Sequence, residues 1–250
     1  MEIILSRILK YLNGCLNDDY MYRIGNFIVK NYTKMSCYDL EEILKEGHFT
    51  KEEMKNFCKH LGYDSFKEFQ DRLLLDHQIR LSQIQLRMHD MNIDQYIEHL
   101  NISVSKEEFL QLIDELCDLI FKNQRIVIVG SLYPSCVAVD FQTDFITFGK
   151  EVVEYHHFDQ SFQFDENDLV FIITATGRTM ESLVKEMVPQ NICQAYLTLI
   201  TQNIKYKNFD NVCADYVIHV LGKYDGLQFN YQLMMIFDLL RVRYYQRFYQ

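Results

Sequence analysis

The sequence predicts an all-α helix-turn-helix domain followed by a three-layer α/β domain with a five-stranded parallel sheet. Residues 1–123 show the helical spacing of apolar residues and repeated helix-capping residues. From Arg125 onwards, short β-branched apolar runs alternate with helical patterns, as in successive βαβ units. The stretch Arg125–Gly149 contains a buried strand, a polar turn and a helix in this order, which begins such a unit.

Length and composition favour a folded chain of one large domain or two small ones. The 250 residues are 48% hydrophobic, which is enough for a sizeable core. The N-terminus lacks the features of a signal peptide, and no run approaches the roughly 18 apolar residues of a membrane-spanning helix. The seven cysteines are scattered, so we expect reduced thiols rather than disulfides or a zinc site. We therefore expect a soluble, cytoplasmic protein without a membrane partner.

The net charge of −10 is unevenly distributed along the chain. Residues 1–90 hold 13 Lys and Arg against 14 Asp and Glu, whereas residues 91–250 hold 12 against 21. A polyanion would therefore contact the N-terminal third in preference to the rest. This third is still not basic enough for charge alone to predict nucleic-acid binding.

Three segments are predicted, namely an N-terminal helical domain (1–90), a helical connector (91–123) and an α/β domain (124–250). The first domain has five predicted helices, which are Met1–Asn13, one around Met21–Val29, Ser36–Glu46 with Ser36 as its cap, Thr50–Leu61 with a capping box at Thr50 and Glu53, and one from Ser65. Beyond the strand Ile126–Val129, the α/β domain has predicted strands at Glu151–Val153, Leu169–Ile173, Ala195–Ile200 and Tyr216–Val220, and a closing helix Gln228–Tyr249.

The third and fourth helices, separated by a turn at Gly47, form a predicted helix-turn-helix. In DNA-binding proteins of this type the second helix enters the major groove. Lysines and an amide suit phosphate and base contacts, whereas Glu52 and Glu53 would repel phosphate. The predicted DNA contacts are Lys51, Lys55, Asn56 and Lys59. A helix pair that serves only packing or dimerisation is the alternative.

Two turns at the carboxyl ends of predicted strands hold the candidate ligand-binding residues. Anions bind where such turns lead into helix N-termini. The second turn offers three hydroxyls, a glycine that permits positive φ or a close approach, and an arginine suited to phosphate. The candidates are Ser131, Tyr133 and Ser135 in the first turn, and Thr174, Thr176, Gly177, Arg178 and Thr179 in the second. A phosphorylated small molecule is the expected ligand, and the alternative is that Thr179 and its neighbours only cap the helix.

Other polar clusters are weaker candidates. His156, His157 and Asp159 suggest a metal site, but adjacent histidines on a strand point to opposite faces, so surface or turn histidines are favoured. Cys136 at a helix N-terminus would favour a thiolate, although a small buried side chain is the simpler interpretation.

With these motifs in this order, the chain resembles transcriptional regulators of the RpiR type, which join a helix-turn-helix domain to a sugar isomerase (SIS) domain. The first match runs from Phe57 to Phe69, where the family usually has R-F-x-K-x-L-G-[FY]-x-[SG]-[FY]-x-E-[FL]. The second includes Val137–Phe141 and the turn Thr174–Thr179, where the family has S-x-S-G-x-T. The first ligand loop departs from the usual G-x-G-x-S, because Leu132 and Tyr133 are bulky and Pro134 lacks an N–H.

This resemblance implies a regulator of transcription in carbohydrate metabolism that binds operator DNA and a phosphorylated sugar as a homodimer or larger assembly. It implies no catalytic residue, no cofactor and no metal. Two alternatives stay open. One is a phosphosugar isomerase with a general base such as Glu181 or His219. The other is an interaction protein whose DNA binding has decayed, as Glu52, Glu53 and Asn56 would suggest.

Overall fold

A computed structural model describes residues 3–123, 125–130, 138–159, 161–185, 191–224 and 226–250. The helices are α1 (Ile4–Asn13), α2 (Tyr20–Lys30), α3 (Leu40–Glu46), α4 (Lys51–His60), α5 (Phe66–Met88), α6 (Ile93–Ile97), α7 (Lys106–Lys122), α8 (Ala138–Thr147), α9 (Arg178–Lys185) and α10 (Gly226–Phe248). The strands are β1 (Arg125–Val129), β2 (Glu151–Glu154), β3 (Asp168–Thr174), β4 (Tyr196–Thr201), β5 (Asn208–Phe209), β6 (Val212–Cys213) and β7 (Tyr216–His219). None of the described helices is long and apolar enough to cross a membrane.

Five strands form one parallel sheet in the order β2-β1-β3-β4-β7, which confirms the predicted five-stranded parallel sheet. All five predicted strands occur, with ends that coincide with those expected or differ from them by one residue. Strands β5 and β6 form a small antiparallel hairpin that the sequence analysis did not predict. From β1 the chain passes first to β2 on one side and then to β3 on the other. The order therefore reverses between β1 and β3, where ligands bind at the carboxyl ends of strands in folds of this kind.

Helices cover both faces of the sheet because successive strand residues point to opposite sides. Ile126 and Ile128 of β1 face the core that contains α7, α8 and α10, and Val127 and Val129 face the core that contains α9. Strand β3 is buried along its whole length, as expected for a central parallel strand.

Helix α8 lies between the sheet and the N-terminal helices, so both of its sides are covered. Its apolar residues, such as Phe141 and Phe145, face the sheet side of the core. Its polar residues Gln142, Thr143, Asp144 and Thr147 are also buried, because α1, α5 and their neighbours pack over them. One hydrophobic core is therefore continuous from α1 to α10, across both ends of the segment 91–123. The division into domains stays a prediction.

Two N-terminal elements differ from the expectations. The third helix begins at Leu40 rather than Ser36, because the Asp39 side chain accepts a hydrogen bond from the Glu42 N–H while Glu42 reaches back to the Asp39 N–H. The fifth helix, for which only a start at Ser65 was predicted, continues to Met88, close to the end of the predicted first domain at residue 90. Its inward residues pack against α8 and α10, and this tertiary contact supports the longer helix.

Candidate functional site

A cavity of about 100 Å³ lies at the carboxyl end of β1, beside the first turn of α9. Its described lining consists of Val129, Gly130, Tyr155, His157, Arg178, Thr179, Ser182 and Leu183. A water molecule occupies roughly 30 Å³ of liquid, so the cavity has room for a group of phosphate size but not for a whole sugar. The remainder of a sugar phosphate would extend out of it.

The turn that follows β3 is organised by the hydroxyl of Thr174. Its oxygen accepts hydrogen bonds from the N–H groups of Gly177, at 3.0 Å, and Thr179, at 3.4 Å. The Thr179 hydroxyl in turn donates to the carbonyl oxygen of Ile173 at 3.4 Å. Two of the three hydroxyls therefore make bonds within the turn, and Thr174 rather than Thr179 caps the start of α9.

Gly177 has both a positive φ and a close neighbour, the two reasons for a glycine that the sequence analysis considered. Its φ is +99°, in the left-handed region, and a Cβ built on it would lie 2.1 Å from ring atoms of Tyr206. The Tyr206 hydroxyl donates a short hydrogen bond to the carboxylate of Glu181 in α9. The ring therefore holds the turn closely against the first turn of the helix.

The lining of the cavity favours an anion. Among its described residues there is no carboxylate, whereas Arg178 and His157 supply nitrogen donors and Thr179 and Ser182 supply hydroxyls. The first turn of α9 adds the positive end of a helix dipole. Arg178 is exposed, so its guanidinium has the freedom to turn towards a ligand. This local excess of donors contrasts with the net charge of −10 for the chain.

The predicted ligand residues are only partly brought together. Arg178 and Thr179 line the cavity, while Thr174, Thr176 and Gly177 shape the adjoining turn. The other three, Ser131, Tyr133 and Ser135, lie outside the described residues, as does Cys136. The role of all eight residues in ligand binding stays a prediction.

Sequence analysis missed Tyr155, His157 and Ser182 as lining residues. Tyr155 and His157 follow the end of β2, and this strand lies next to β1 in the sheet. Their position after the carboxyl end of a strand could have indicated that these two residues line the cavity. No short sequence motif marks such a position.

The histidine pair does not lie on a strand, as was assumed, because β2 ends at Glu154. His156 stacks on Phe158 with ring centroids 5.0 Å apart and contacts the edge of Tyr22, and burial lowers its pKa. His157 points to the cavity instead. The described residues contain no group of three or more side chains suited to a metal ion.

A buried amide lies at the carboxyl end of β4, and the sequence analysis did not single it out. Gln202 is only 3% exposed, and neither its amide nitrogen nor its amide oxygen has a partner among the described residues. Gly222 follows β7 and approaches it so closely that an added Cβ would lie 2.0 Å from the Gln202 Nε2. His219 bonds the Gln202 carbonyl oxygen at 3.2 Å. Neither of the candidate bases, Glu181 or His219, lines the cavity.

A larger cavity of about 420 Å³ lies at the opposite, amino edge of the sheet. Three carboxylates line it, those of Glu151, Asp165 and Asp168, and Asp168 is paired bidentately with Arg125. Burial raises the pKa of Glu151. The excess of acidic groups makes this cavity unsuited to a phosphate, despite its size.

The predicted DNA-binding helix α4 forms as expected, with its capping box between Thr50 and Glu53. Backbone and side-chain hydrogen bonds from Thr50 lower the pKa of Glu53. This glutamate thus completes the cap of the helix rather than extending towards a partner. A four-residue turn, 47–50, joins α4 to α3.

The predicted DNA contacts differ in their surroundings. Lys55 and Lys59 are exposed and lie four positions apart, so they are on one side of α4. Lys51 is also exposed and pairs with Glu41 of α3 at 2.6 Å. Asn56 is half-buried, and its carbonyl oxygen is 3.1 Å from the His60 Nδ1. Their role in DNA binding stays a prediction.

The fold is that of an α/β protein, and a small cavity lined by nitrogen and hydroxyl donors lies at the switch point of its parallel sheet. No protein-family model matches the chain, and no curated protein matches it. Among solved structures, it is similar to the Vibrio vulnificus NanR protein complexed with ManNAc-6P, with 11% identity, coverage of 98% of this chain and 92% of that chain, and a TM-score of 0.45.

Two further structures each cover about two thirds of this chain. One is the sugar isomerase domain of an RpiR transcription factor from Sphaerobacter thermophilus, with 14% identity, coverage of 66% of this chain and 89% of that chain, and a TM-score of 0.44. The other is a Methanococcus jannaschii protein with an inferred 3-hexulose-6-phosphate isomerase function, with 19% identity, coverage of 62% and 88%, and a TM-score of 0.46. Identities and TM-scores at this level do not assign the chain to a family.

Proposed function

We propose that this protein is a DNA-binding regulator of transcription whose α/β domain binds a phosphorylated sugar. The observation that carries the proposal is the cavity beside α9, where Arg178 and two hydroxyls meet a helix N-terminus without an acidic residue in the described lining. A phosphate is the group that such an arrangement stabilises best. The sugar would extend from the cavity along the carboxyl ends of the neighbouring strands.

Helix α4 is the proposed DNA-contacting element. Its exposed lysines, Lys51, Lys55 and Lys59, supply phosphate contacts, and Asn56 supplies an amide for a base edge. Glu53 is occupied in the helix cap, so its charge is partly satisfied by hydrogen bonds. A homodimer would place two such helices on a two-fold symmetric operator.

The two proposed sites are connected through α8. The described part of this helix starts at Ala138, three residues after Ser135 of the first predicted ligand loop, and its other side packs against the N-terminal helices. Asn13 of α1 donates to the Gln142 side chain at 2.7 Å, and Arg80 of α5 is paired with Asp144. A ligand that displaces the start of α8 would therefore alter the position of α1 and α5, provided that it binds the two arrangements with different affinity.

The ligand half is tested by calorimetry with a panel of sugar phosphates and the matching unphosphorylated sugars. Arg178→Gln should weaken binding of the preferred sugar phosphate by roughly 10- to 100-fold, because a charge-assisted contact is worth about 1.5–3 kcal/mol. Arg23→Gln, which changes an exposed arginine of α2, is the matched control and should bind normally. Binding of no sugar phosphate in the panel would contradict this half.

The DNA half is tested with the DNA upstream of the gene, in a series of salt concentrations. Lys55→Ala and Lys59→Ala should each weaken binding and reduce the slope of log K against log salt by about one. The control is Lys122→Ala, which removes an exposed lysine at the amino edge of the sheet. If Lys122→Ala has the same effect as the α4 variants, binding is non-specific and this assignment of α4 is wrong.

The same purified protein also tests the two alternative functions, a phosphosugar isomerase and an interaction protein. Interconversion of a hexose phosphate by the purified protein would identify an isomerase, and Glu181→Gln and His219→Gln would then show whether either residue is the base. The absence of any salt-sensitive DNA binding, together with retained sugar-phosphate binding, would favour an interaction protein that has lost its DNA function.

A further inference from the structure

Gln202, at the carboxyl end of β4, is held firmly at its main chain and left without a bond at its side chain. Its N–H donates to the carbonyl oxygen of Ala175 at 3.2 Å, and its carbonyl oxygen accepts from the His219 Nε2 at 3.2 Å. The residue is only 3% exposed, yet neither Nε2 nor Oε1 has a partner among the described residues. A fixed main chain therefore presents a buried amide whose hydrogen-bonding capacity is unused.

Such an amide opposes folding, so its presence requires an explanation. Buried polar groups are almost always hydrogen-bonded, because a group that loses water without gaining a partner raises the free energy of the folded state. The other buried glutamines of the described structure follow this rule. Gln70 donates to two carbonyl oxygens at 2.7 Å, and Gln142 and Gln232 are bonded as well. Gln202 is therefore suited to a partner from outside the chain.

The turn 174–179, which adjoins the cavity beside α9, lies directly next to Gln202. In addition to the bond to Ala175, the Asn203 Nδ2 donates to the carbonyl oxygen of Thr176 at 2.9 Å. Neighbouring strands are about 4.8 Å apart, so β4 lies one strand from this turn and two strands, about 10 Å, from β1 at the cavity. A sugar phosphate that extends from the cavity across the end of β3 would point towards this amide.

Gly222 covers the amide. It follows β7 and is exposed, and a Cβ built on it would lie 2.0 Å from the Gln202 Nε2. The absence of a side chain at this position leaves room for the amide, which lies directly beneath an exposed residue. The same Cβ would lie 3.4 Å from the Gln228 Oε1 in α10. Two neutral amides thus adjoin one glycine, and a small displacement of that glycine would expose the buried one.

The chemistry of the amide selects the kind of group that it can bond. A carboxamide offers an acceptor and two donors in one plane, and a hydroxyl can both donate and accept. Two adjacent hydroxyls of a sugar can therefore bond Oε1 and Nε2 at once. A carboxylate or an ammonium group would be buried without a counter-ion, because Ala175, His219 and Gly222, which contact Gln202, supply neither a carboxylate nor a permanent positive charge.

We infer that Gln202 determines which sugar phosphate the protein accepts, by bonding two adjacent hydroxyls at the end of the ligand remote from the phosphate. This inference rests on the proposed phosphosugar function and narrows its ligand to sugars with an uncharged diol in that part. Arg178 provides affinity for the phosphate, and the amide provides selectivity for the sugar. Discrimination of this kind is strong, because a ligand without the hydroxyls leaves the amide buried and unpaired.

The test uses Gln202→Met, which keeps nearly the same shape without the two polar atoms. Calorimetry measures the Kd of wild type and variant for glucose 6-phosphate, fructose 6-phosphate, ribose 5-phosphate and inorganic phosphate. The sugar phosphate that wild type binds most tightly should bind the variant about 10- to 100-fold more weakly, which is the loss expected for two neutral hydrogen bonds. Inorganic phosphate, which is too small to reach β4 from the cavity, should bind both proteins within about twofold.

Thermal unfolding without ligand separates this role from a structural one. Gln202→Met should raise the melting temperature by about 2 °C or more, because it removes two unpaired buried polar atoms. Gln70→Met is the matched control, since it removes a buried amide that is fully bonded. It should lower the melting temperature and leave the Kd values for the sugar phosphate and for inorganic phosphate unchanged.

Three results would overturn the inference, and they have different consequences for the proposed function. If Gln202→Met lowers the melting temperature and weakens both kinds of ligand together, the amide has a structural role. If the variant binds the preferred sugar phosphate as tightly as wild type does, the inference fails and the proposed function stands. If wild type binds none of the three sugar phosphates, the proposed function fails and the inference fails with it.

Discussion

Gly177 illustrates how a single residue shapes the candidate ligand turn. Its φ of +99° and the contact of its α-carbon region with the Tyr206 ring both exclude a side chain. Gly177→Ala should therefore lower the free energy of unfolding by the strain of a left-handed alanine, about 1–2 kcal/mol, and by the additional cost of displacing the ring. Chemical denaturation measures the sum.

Gly62 provides the matched control for this prediction. It also has a positive φ, +89°, but a Cβ built on it meets no atom within 4 Å. Gly62→Ala should thus show the cost of the backbone strain alone. A loss of stability in Gly177→Ala no larger than that in Gly62→Ala would contradict the proposed role of Tyr206 in holding the turn.

His156 should make stability depend on pH. Burial lowers its pKa from the usual 6.5, so the folded protein holds the ring neutral while the unfolded chain protonates it near its ordinary value. Its contribution to stability is therefore full above about pH 6.5 and is lost as the pH falls from 6.5 through the lowered folded pKa.

Urea denaturation between about pH 5 and pH 8 tests this sign. The stability of wild type should rise with pH across the window, and His156→Phe, which keeps an aromatic ring against Phe158 and Tyr22, should show a flatter dependence. An equally steep profile in the variant would assign the pH dependence to other groups.

At the scale of elements, a buried ion network joins three helices. Asp144 of α8 lies between Arg80 of α5 and Arg241 of α10, with N–O distances of 2.6 and 2.9 Å. Removing the shared carboxylate would leave Arg80 without its buried counter-ion and Arg241 with only the more exposed Asp238. Asp144→Asn should lower the free energy of unfolding by about 3–5 kcal/mol, as expected when one member of a buried pair is lost.

Asp140 lies one turn earlier on α8 but is exposed. Asp140→Asn should change the unfolding free energy by no more than about 0.5 kcal/mol, so it separates the effect of the network from that of a charge change on this helix. Comparable losses of stability in both variants would mean that the network does not hold α5, α8 and α10 together.

The sequence predicted elements well where local chemistry decides them. The capping box at Thr50 and the β-branched run of β3 occur as expected. Prediction from the sequence failed where the structure depends on a contact between residues that are distant along the chain. Helix α5 extends to Met88 because α8 and α10 cover its inward side, and the two partners of Asp144 are 64 and 97 residues away in sequence. Neither contact has a local sequence pattern.

At the scale of the whole molecule, the residues of the candidate site also divide into those that a local sequence pattern predicts and those that only the complete fold brings together. Arg178 and Thr179 follow directly from the strand–turn–helix pattern and line the cavity. Tyr155 and His157 reach it only because β2 lies beside β1 in the sheet, and the buried Gln202 is approached closely by Gly222, which follows β7. Strand order and the return of the chain after β7 decide these placements, and neither is encoded in a short motif.

The position of α8 between the two proposed sites leads to a prediction about coupling. If a sugar phosphate changes the affinity for DNA by some factor, DNA must change the affinity for the sugar phosphate by the same factor. Titrating each ligand with and without the other measures both factors, and a factor of one in both titrations would show that the two binding events are not linked.

Asn13→Ala tests whether α8 carries this coupling, because it removes the hydrogen bond from α1 to Gln142 while leaving both proposed sites intact. The bond is worth about 1 kcal/mol, so the coupling factor should fall by roughly fivefold while each ligand alone binds nearly as in wild type. Tyr11→Phe, which removes a hydrogen bond from α1 to Asp19 rather than to α8, should leave the factor unchanged. If Asn13→Ala also leaves it unchanged, the contact between α1 and α8 does not transmit ligand binding to the DNA-contacting helices.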